Sequence, residues 1–226
     1  KKTVKDAAKI FRFTPLWING IYAGLVFCIF PAFGALWSIP YFMERYKIKV
    51  DQAALLSSTF FLGACIGTPL LGWISIYIQK RRPLLVTGTF LSFIVSLFVI
   101  YPRHVDLSLM YCLVLLLGFF SSIYTLSFSI ANSYVSLKNK GITMGFTNML
   151  IIIFGAPLLQ PIIGFLLKWS SGFLSLKNLE SFHLDNYLIA LTPLPICLFL
   201  AFILAFFIKE GSEGLPLKSI ELNVEP

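Results

Sequence analysis

The sequence predicts an all-α integral membrane protein, six transmembrane helices arranged as two inverted three-helix repeats. Three observations predict it: the composition, six uncharged apolar stretches, and one string of residues that occurs twice. Of 226 residues, 58% are hydrophobic, 12% are charged and 23 are Phe, more apolar surface than a soluble domain of this length can hide. The uncharged stretches run over 14–43, 52–79, 84–102, 107–137, 142–167 and 186–208, and none contains Asp, Glu, Lys, Arg or His. At about 1.5 Å per residue each is long enough to cross a hydrocarbon core of about 30 Å. The helices of a soluble bundle would show charged faces every few residues, and these stretches have none. The first stretch is also far longer than the 7–15-residue core of a signal peptide.

The repeated string supplies the internal symmetry. "GACIGTPLLGW" at 63–73 returns as "GAPLLQPIIGF" at 155–165. Gly63 pairs with Gly155, Thr68 with Gln160, Pro69 with Pro161, Gly72 with Gly164 and Trp73 with Phe165, at a constant offset of 92 residues without a gap. The copies lie late in the second and fifth spans, which cross the membrane in opposite directions. The chain therefore divides into inverted units of about 14–102 and 107–208. Inverted repeats of this kind mark secondary transporters. Glycines at Gly63, Gly67 and Gly72 let a neighbouring backbone approach, and Pro69 and Pro161 are expected to kink their spans. The expectation for Gly72 and Gly164 is that each lies against a neighbouring backbone.

Before the first span, residues 1–13 are basic. Val4, Ala8 and Phe11 share a helical face that would lay this segment on membrane lipid, although a plain linker fits equally well. The net charge of +8 does not signal nucleic acid, because the basic residues sit between spans rather than among exposed aromatics. Lys1, Lys2, Lys5, Lys9 and Arg12, then Lys80, Arg81 and Arg82, then Lys138 and Lys140, then Lys209 and Lys218 fall on one side. Arg45, Lys47, Lys49, Arg103, Lys168 and Lys177 fall on the other. The excess on the first side predicts cytoplasmic termini, with 209–226 as a cytoplasmic tail. Cys28, Cys65, Cys112 and Cys197 lie inside spans without paired spacing. They read as packing residues, not as disulfides or a metal site. No cofactor-binding loop and no nucleophile–base pair is present, so an enzyme is not expected.

The stretches "WINGIYAGLVFCIFPAFGALWSIPYF", "FLGACIGTPLLGWISIYIQKRRPLL" and "GFTNMLIIIFGAPLLQPIIGFLL", with a last span ending "FFIKE", resemble the C-terminal six helices of a major facilitator superfamily transporter. Within it the chain is most similar to a bacterial branch that includes intraphagosomal amino-acid transporters and sugar-phosphate permeases. The resemblance covers nearly the whole chain. It implies a small-molecule substrate, a bacterial inner-membrane location, and an N-terminal six-helix half as partner, with 1–13 as the end of the cytoplasmic linker joining the halves. The family's loop motif maps onto Gly72, Ile76, Tyr77, Gln79, Lys80 and Arg81. The first glycine and the basic end remain, Ile76 replaces the acid and Gln79 the second glycine. Without the acid, the charge lock that it helps to form in the family is not expected in this half, and the resemblance leaves Arg81 an anchoring role.

In such folds the first helix of each three-helix unit lines a central cavity and the third faces lipid. On the fourth span Ser121, Tyr124, Thr125, Phe128 and Asn132 fall within about ±60° of one line. On the first span Asn19, Tyr22, Val26, Phe30, Phe33 and Trp37 share a mostly aromatic line, and the fifth span adds Thr147, Asn148 and Gln160. The substrate-binding candidates are Tyr124, Ser121, Thr125, Asn132, Asn148, Asn19, Tyr22, Trp37 and Gln160. The competing role for each is a hydrogen bond to a neighbouring helix, with an average value of about 0.6 kcal/mol. The gating and structural candidates are Gly63, Gly67, Pro69, Gly72, Gly155, Pro161, Gly164 and Arg81. No span holds a carboxylate or histidine, so this half is expected to supply cavity wall but no proton site for a symporter. The function expected is that of a secondary carrier for a small polar solute. The alternative is a non-transporting membrane scaffold or assembly partner, and an oligomeric channel is a remoter one.

Overall fold

A computed structural model describes residues 12–154, 156–172 and 183–210. Gly155, the amphipathic face of 1–13 up to Phe11, and the tail beyond 210 lie outside the described residues. The six apolar stretches form six helices long and apolar enough to cross a membrane: α1 Thr14–Tyr46, α2 Val50–Ile78, α3 Arg82–Ile100, α4 Leu107–Ser133, α5 Leu137–Ser170 and α6 Leu184–Ala205. No strand occurs among the described residues.

Local chemistry sets the ends. Proline lies in the first turn of α1 and α3, where its missing N–H would have no helical partner. α1 runs past its apolar stretch through Glu44 and Arg45, and Lys47 ends it in the left-handed conformation, φ 51°. α4 stops at Ser133, short of the predicted 137, because the chain turns at Tyr134 and is extended at Ser136 before α5 begins. Charged residues thus sit at helix ends, where water is within reach.

Successive helices run antiparallel, giving the bundle two ends. The start of α1, the α2–α3 and α4–α5 turns and the end of α6 share one, termed the terminal face. At that face the Arg82 guanidinium donates to the Phe206 carbonyl and the Tyr134 hydroxyl to the Lys209 carbonyl. Burial, with Glu210 nearby, pushes the Tyr134 hydroxyl up and keeps it a donor. The other connections share the far face. There Arg45 caps the end of α3, donating to the carbonyls of Val99 at 2.9 Å and of Pro102, while the Tyr41 hydroxyl lies 2.9 Å from the Val99 and Ile100 carbonyls. A cation and a phenol at the carbonyl end of α3 satisfy groups that its own turns leave open.

The packing repeats itself. α2 lies along α4 and α1 along α5; α3 touches α4 as α6 touches α1; α3 and α6 meet each other. Exchanging α1 with α4, α2 with α5 and α3 with α6 reproduces these neighbours, as an internal two-fold relation requires. At the α2–α4 crossing a Cβ on Gly63 would collide with the Leu115 carbonyl, and one on Gly118 with the Phe60 carbonyl. Gly67 sits equally close to Phe119 and Ser122. Gly20 and Gly24 do the same for α1 against Leu150 and Phe154 of α5.

Two glycine expectations are corrected. A Cβ on Gly72 would meet nothing within 4 Å, and one on Gly164 would touch only the Trp37 ring, at 3.5 Å. Gly63 and Gly67 lie on a stripe that Leu71 and Ser75 continue, all of them buried, whereas Gly72 is turned about 100° off that stripe.

Candidate functional site

α1 and α4, equivalent under the internal symmetry, both depart from α-geometry near mid-length. α1 is a π-helix over Phe30–Trp37, and α4 tightens to a 3₁₀-helix over Ser122–Thr125. The offset of 92 residues that relates Gly63 to Gly155 also carries the first residue of one segment, Phe30, onto the first of the other, Ser122. Such segments inside long helices frequently mark functional hinges.

The π-segment is held from both second helices. Gln160 Nε2 on α5 donates to the Pro31 carbonyl at 2.8 Å. On α2, the Ser57 hydroxyl donates to the Gly34 carbonyl at 2.9 Å and lies 2.6 Å from the Ser38 hydroxyl. Gln160 is therefore committed to the α1 backbone in this conformation. The side chains of Pro69 and Pro161 lie within the helical runs of α2 and α5.

Where the two irregular segments meet, Tyr124 stands against an aromatic wall. Its ring lies 5.0 Å from that of Phe27 and 5.4 Å from that of Phe30, and Phe30 in turn packs edge-on against Phe60 at 4.9 Å. Tyr124 is half-buried and its hydroxyl makes no hydrogen bond among the described residues. Thr125, Phe128 and Asn132 continue the same half-buried face toward the terminal end of α4. Thr125 donates to the Ser122 carbonyl at 2.9 Å, while Asn132 Oδ1 has no partner among the described residues. This face offers an aromatic surface, the Tyr124 phenol and the Asn132 amide, and no carboxylate, amine or imidazole. It can stack on and hydrogen-bond a small solute.

The other candidates lie elsewhere. Ser121 is buried with its hydroxyl 2.6 Å from that of Ser92, joining α4 to α3. Tyr22 is buried with its hydroxyl 2.7 Å from Thr89 Oγ1, joining α1 to α3, and Asn19 Nδ2 donates to the Ser127 carbonyl at 3.0 Å. The line through Asn19, Tyr22, Val26 and Phe33 thus points into the bundle, because that face meets α3 and α4. Trp37 is half-buried against Gly164 at the far end of the π-segment, and Asn148 is exposed on α5. Phe27 belongs to the aromatic wall and Ser57 to the π-segment's support, yet neither stood out in the sequence. An apolar ring among 23 Phe and a serine in an uncharged helix carry no local signal.

At the terminal face, Ile76 and Tyr77 are exposed and Gln79 ends α2 in the left-handed conformation, φ 56°. The backbone there has the form that a glycine takes without strain. Arg81 follows at the start of α3.

Residues 17–223 match the family profile described as Major Facilitator Superfamily. The chain is 29% identical over 104 residues to a protein named TsgA homolog from Buchnera aphidicola subsp. Baizongia pistaciae, covering 46% of this chain and 26% of that protein. Its fold is similar to the crystal structure of a bacterial homologue of the human lysosomal transporter Spinster, in an inward-facing and occupied conformation. That match has a TM-score of 0.65 at 14% identity, over 86% of this chain and 48% of the other. The chain therefore spans about half the length of that transporter, and its match to the TsgA homologue about a quarter of that protein.

Proposed function

Because the chain belongs to the Major Facilitator Superfamily, we propose that it is a six-helix half of a secondary transporter that moves a small polar solute, such as an amino acid or related metabolite, by alternating access across a bacterial inner membrane. Residues 14–208 form the transmembrane bundle, 1–13 the linker and 209–226 the tail, with both termini cytoplasmic. The observation that carries the reading is Tyr124. Its free phenol stands on a half-open face where the irregular segments of the two cavity-type helices meet. Tyr124, Thr125, Asn132 and the Phe27–Phe30 wall are the contacts proposed for the solute, and Gln160 and Ser57 hold that wall in place. Ser121, Asn19 and Tyr22 serve the same site from behind, by fixing α1 and α4 to each other and to α3.

The partner is a second six-helix half. Only 22% of an 18-residue apolar stretch of α2 and 31% of one of α5 is buried, against 56% for α1. The two symmetry-related helices that support the π-segment are thus the two with most surface left to cover. The test is uptake by the full-length protein on a panel of amino acids, sugars and organic acids, with Tyr124→Phe alongside. Saturable uptake whose apparent affinity falls in Tyr124→Phe supports the site. Uptake identical in the variant moves the site elsewhere, and no uptake of any solute favours a non-transporting scaffold.

A further inference from the structure

Three fully buried polar side chains, one on each of three helices, end in atoms without a hydrogen-bond partner among the described residues: Asn19 Oδ1 on α1, Ser127 Oγ on α4 and Thr147 Oγ1 on α5. Asn19 and Ser127 are joined directly, since the Asn19 amide nitrogen donates to the Ser127 carbonyl at 3.0 Å. Thr147 reaches the same level from α5. α1 and α5 run in the same direction, with Gly20 against Leu150, Gly24 against Phe154, and the Trp17 ring 5.1 Å from the Phe146 ring. In that register Thr147 stands beside residue 17, within about 3 Å of the level of Asn19. Spacings of three and four residues place Thr147 on the face of α5 that carries Leu150 and Phe154 toward α1.

Five hydroxyls elsewhere in the bundle behave differently. Ser96, Ser122, Thr125, Ser133 and Thr192 each donate to a carbonyl three or four residues earlier in their own helix. Ser127 and Thr147 do not, and a buried hydroxyl without any partner costs about 1–3 kcal/mol. The donor and acceptor count identifies what completes the set. The two hydroxyls have protons to give. Asn19 Oδ1 can only accept, because the amide's orientation is fixed by its bond to Ser127. A ligand that accepts two hydrogen bonds and donates one fits all three atoms, and a cation would leave both hydroxyl protons without an acceptor.

We propose that an ordered water molecule sits between α1, α4 and α5, accepting from Ser127 and Thr147 and donating to Asn19. Thr143 Oγ1, one turn nearer the terminal face on the same side of α5 and equally unpartnered, continues the polar column. α1 thus meets α5 directly at Gly20 and Gly24 and through the water at the level of Asn19. The inference stands on these atoms alone and does not depend on a transported solute.

The test uses the purified full-length protein in detergent and reads Tm for Thr147→Val, which keeps the side-chain shape, and for Thr147→Ser. With the water in place, Thr147→Val breaks the set and lowers Tm by several degrees while Thr147→Ser stays near wild type. A rise in Tm for Thr147→Val means a dry site and overturns the proposal. So does a stabilisation by sodium chloride over choline chloride that is lost in the valine variant, since it identifies a cation instead. Should Thr147→Val fail to fold, density for a water within hydrogen-bond distance of all three oxygens in a high-resolution structure of the wild type decides the matter, and its absence at a resolution that shows other buried waters overturns the proposal.

Discussion

Gln79 holds a backbone conformation that a side chain resists, φ 56° at the last turn of α2, in the position where the resembling family's loop motif has glycine. Left-handed backbone costs an L-residue about 1–2 kcal/mol relative to its usual conformations, and glycine escapes that cost. Gln79→Gly should therefore raise the thermal midpoint of the purified protein, and an unchanged or lower midpoint would show that the glutamine side chain compensates. The glycines give an ordered pair of outcomes. Gly63→Leu should destabilise by more than the roughly 1–3 kcal/mol typical of overpacking, because the obstacle is the Leu115 backbone rather than a movable side chain. Gly72→Leu should be tolerated, since nothing lies within 4 Å of it. Equal losses in a thermal unfolding assay would contradict the crossing geometry. At Tyr124 the free hydroxyl separates stability from function: Tyr124→Phe should leave Tm unchanged, and a large drop would mean that the phenol is a structural bond.

At the scale of elements, the π-segment of α1 is the feature with most support around it. A π-helix is rare and costs hydrogen-bond quality, and here its carbonyls recruit Gln160 from α5 and Ser57 from α2. Gln160→Ala combined with Ser57→Ala should loosen Phe30–Trp37 and raise its backbone hydrogen-exchange rate above that of the flanking turns. Exchange confined to the wild-type pattern would show that the segment is held by its rings alone. The end of α3 depends on another element in the same way. Arg45→Met should remove a cap that contributes about 1–2 kcal/mol and lower the thermal midpoint, with Tyr41 preserving part of the contact.

At the scale of the whole molecule, coupling to a proton gradient is the point on which charge placement speaks most directly. Glu44, Asp51, Asp106 and Asp185 all lie at helix ends or in loops, Glu44 paired with Lys47 at 2.5 Å and Asp185 with Arg103 at 2.9 Å. Neutralising each in turn should leave uptake driven by an imposed pH gradient intact. Loss of driven uptake with exchange preserved, in any one variant, would place the proton path in this half. The twelve-to-six distribution of Lys and Arg predicts the orientation. A single cysteine at Ser171 should react with an impermeant thiol reagent in whole cells and one at Lys138 should not; the reverse pattern would invert the topology.

The sequence by itself determined the six helices and their inverted pairing, because in a membrane every backbone group must be satisfied within the segment and a long uncharged run has no alternative to a helix. The repeated string revealed which elements are equivalent, and the glycines at Gly63 and Gly67 revealed where they touch. Of the five residues that local pattern put on one line of α4, Tyr124, Thr125, Phe128 and Asn132 share a half-buried face, while Ser121, just before the 3₁₀-segment, is buried against Ser92. Which face of a helix points inward was another matter. In an apolar chain both faces read alike, and only the tertiary packing turned Asn19, Tyr22 and Ser121 toward neighbouring helices, left Gly72 clear of contact, and gave Gln160 to the Pro31 carbonyl. The π-segment is likewise decided by what grips it across the bundle, Ser57 at 23 positions from Gly34 and Gln160 at 129 from Pro31, contacts that lie beyond any single helix of the sequence.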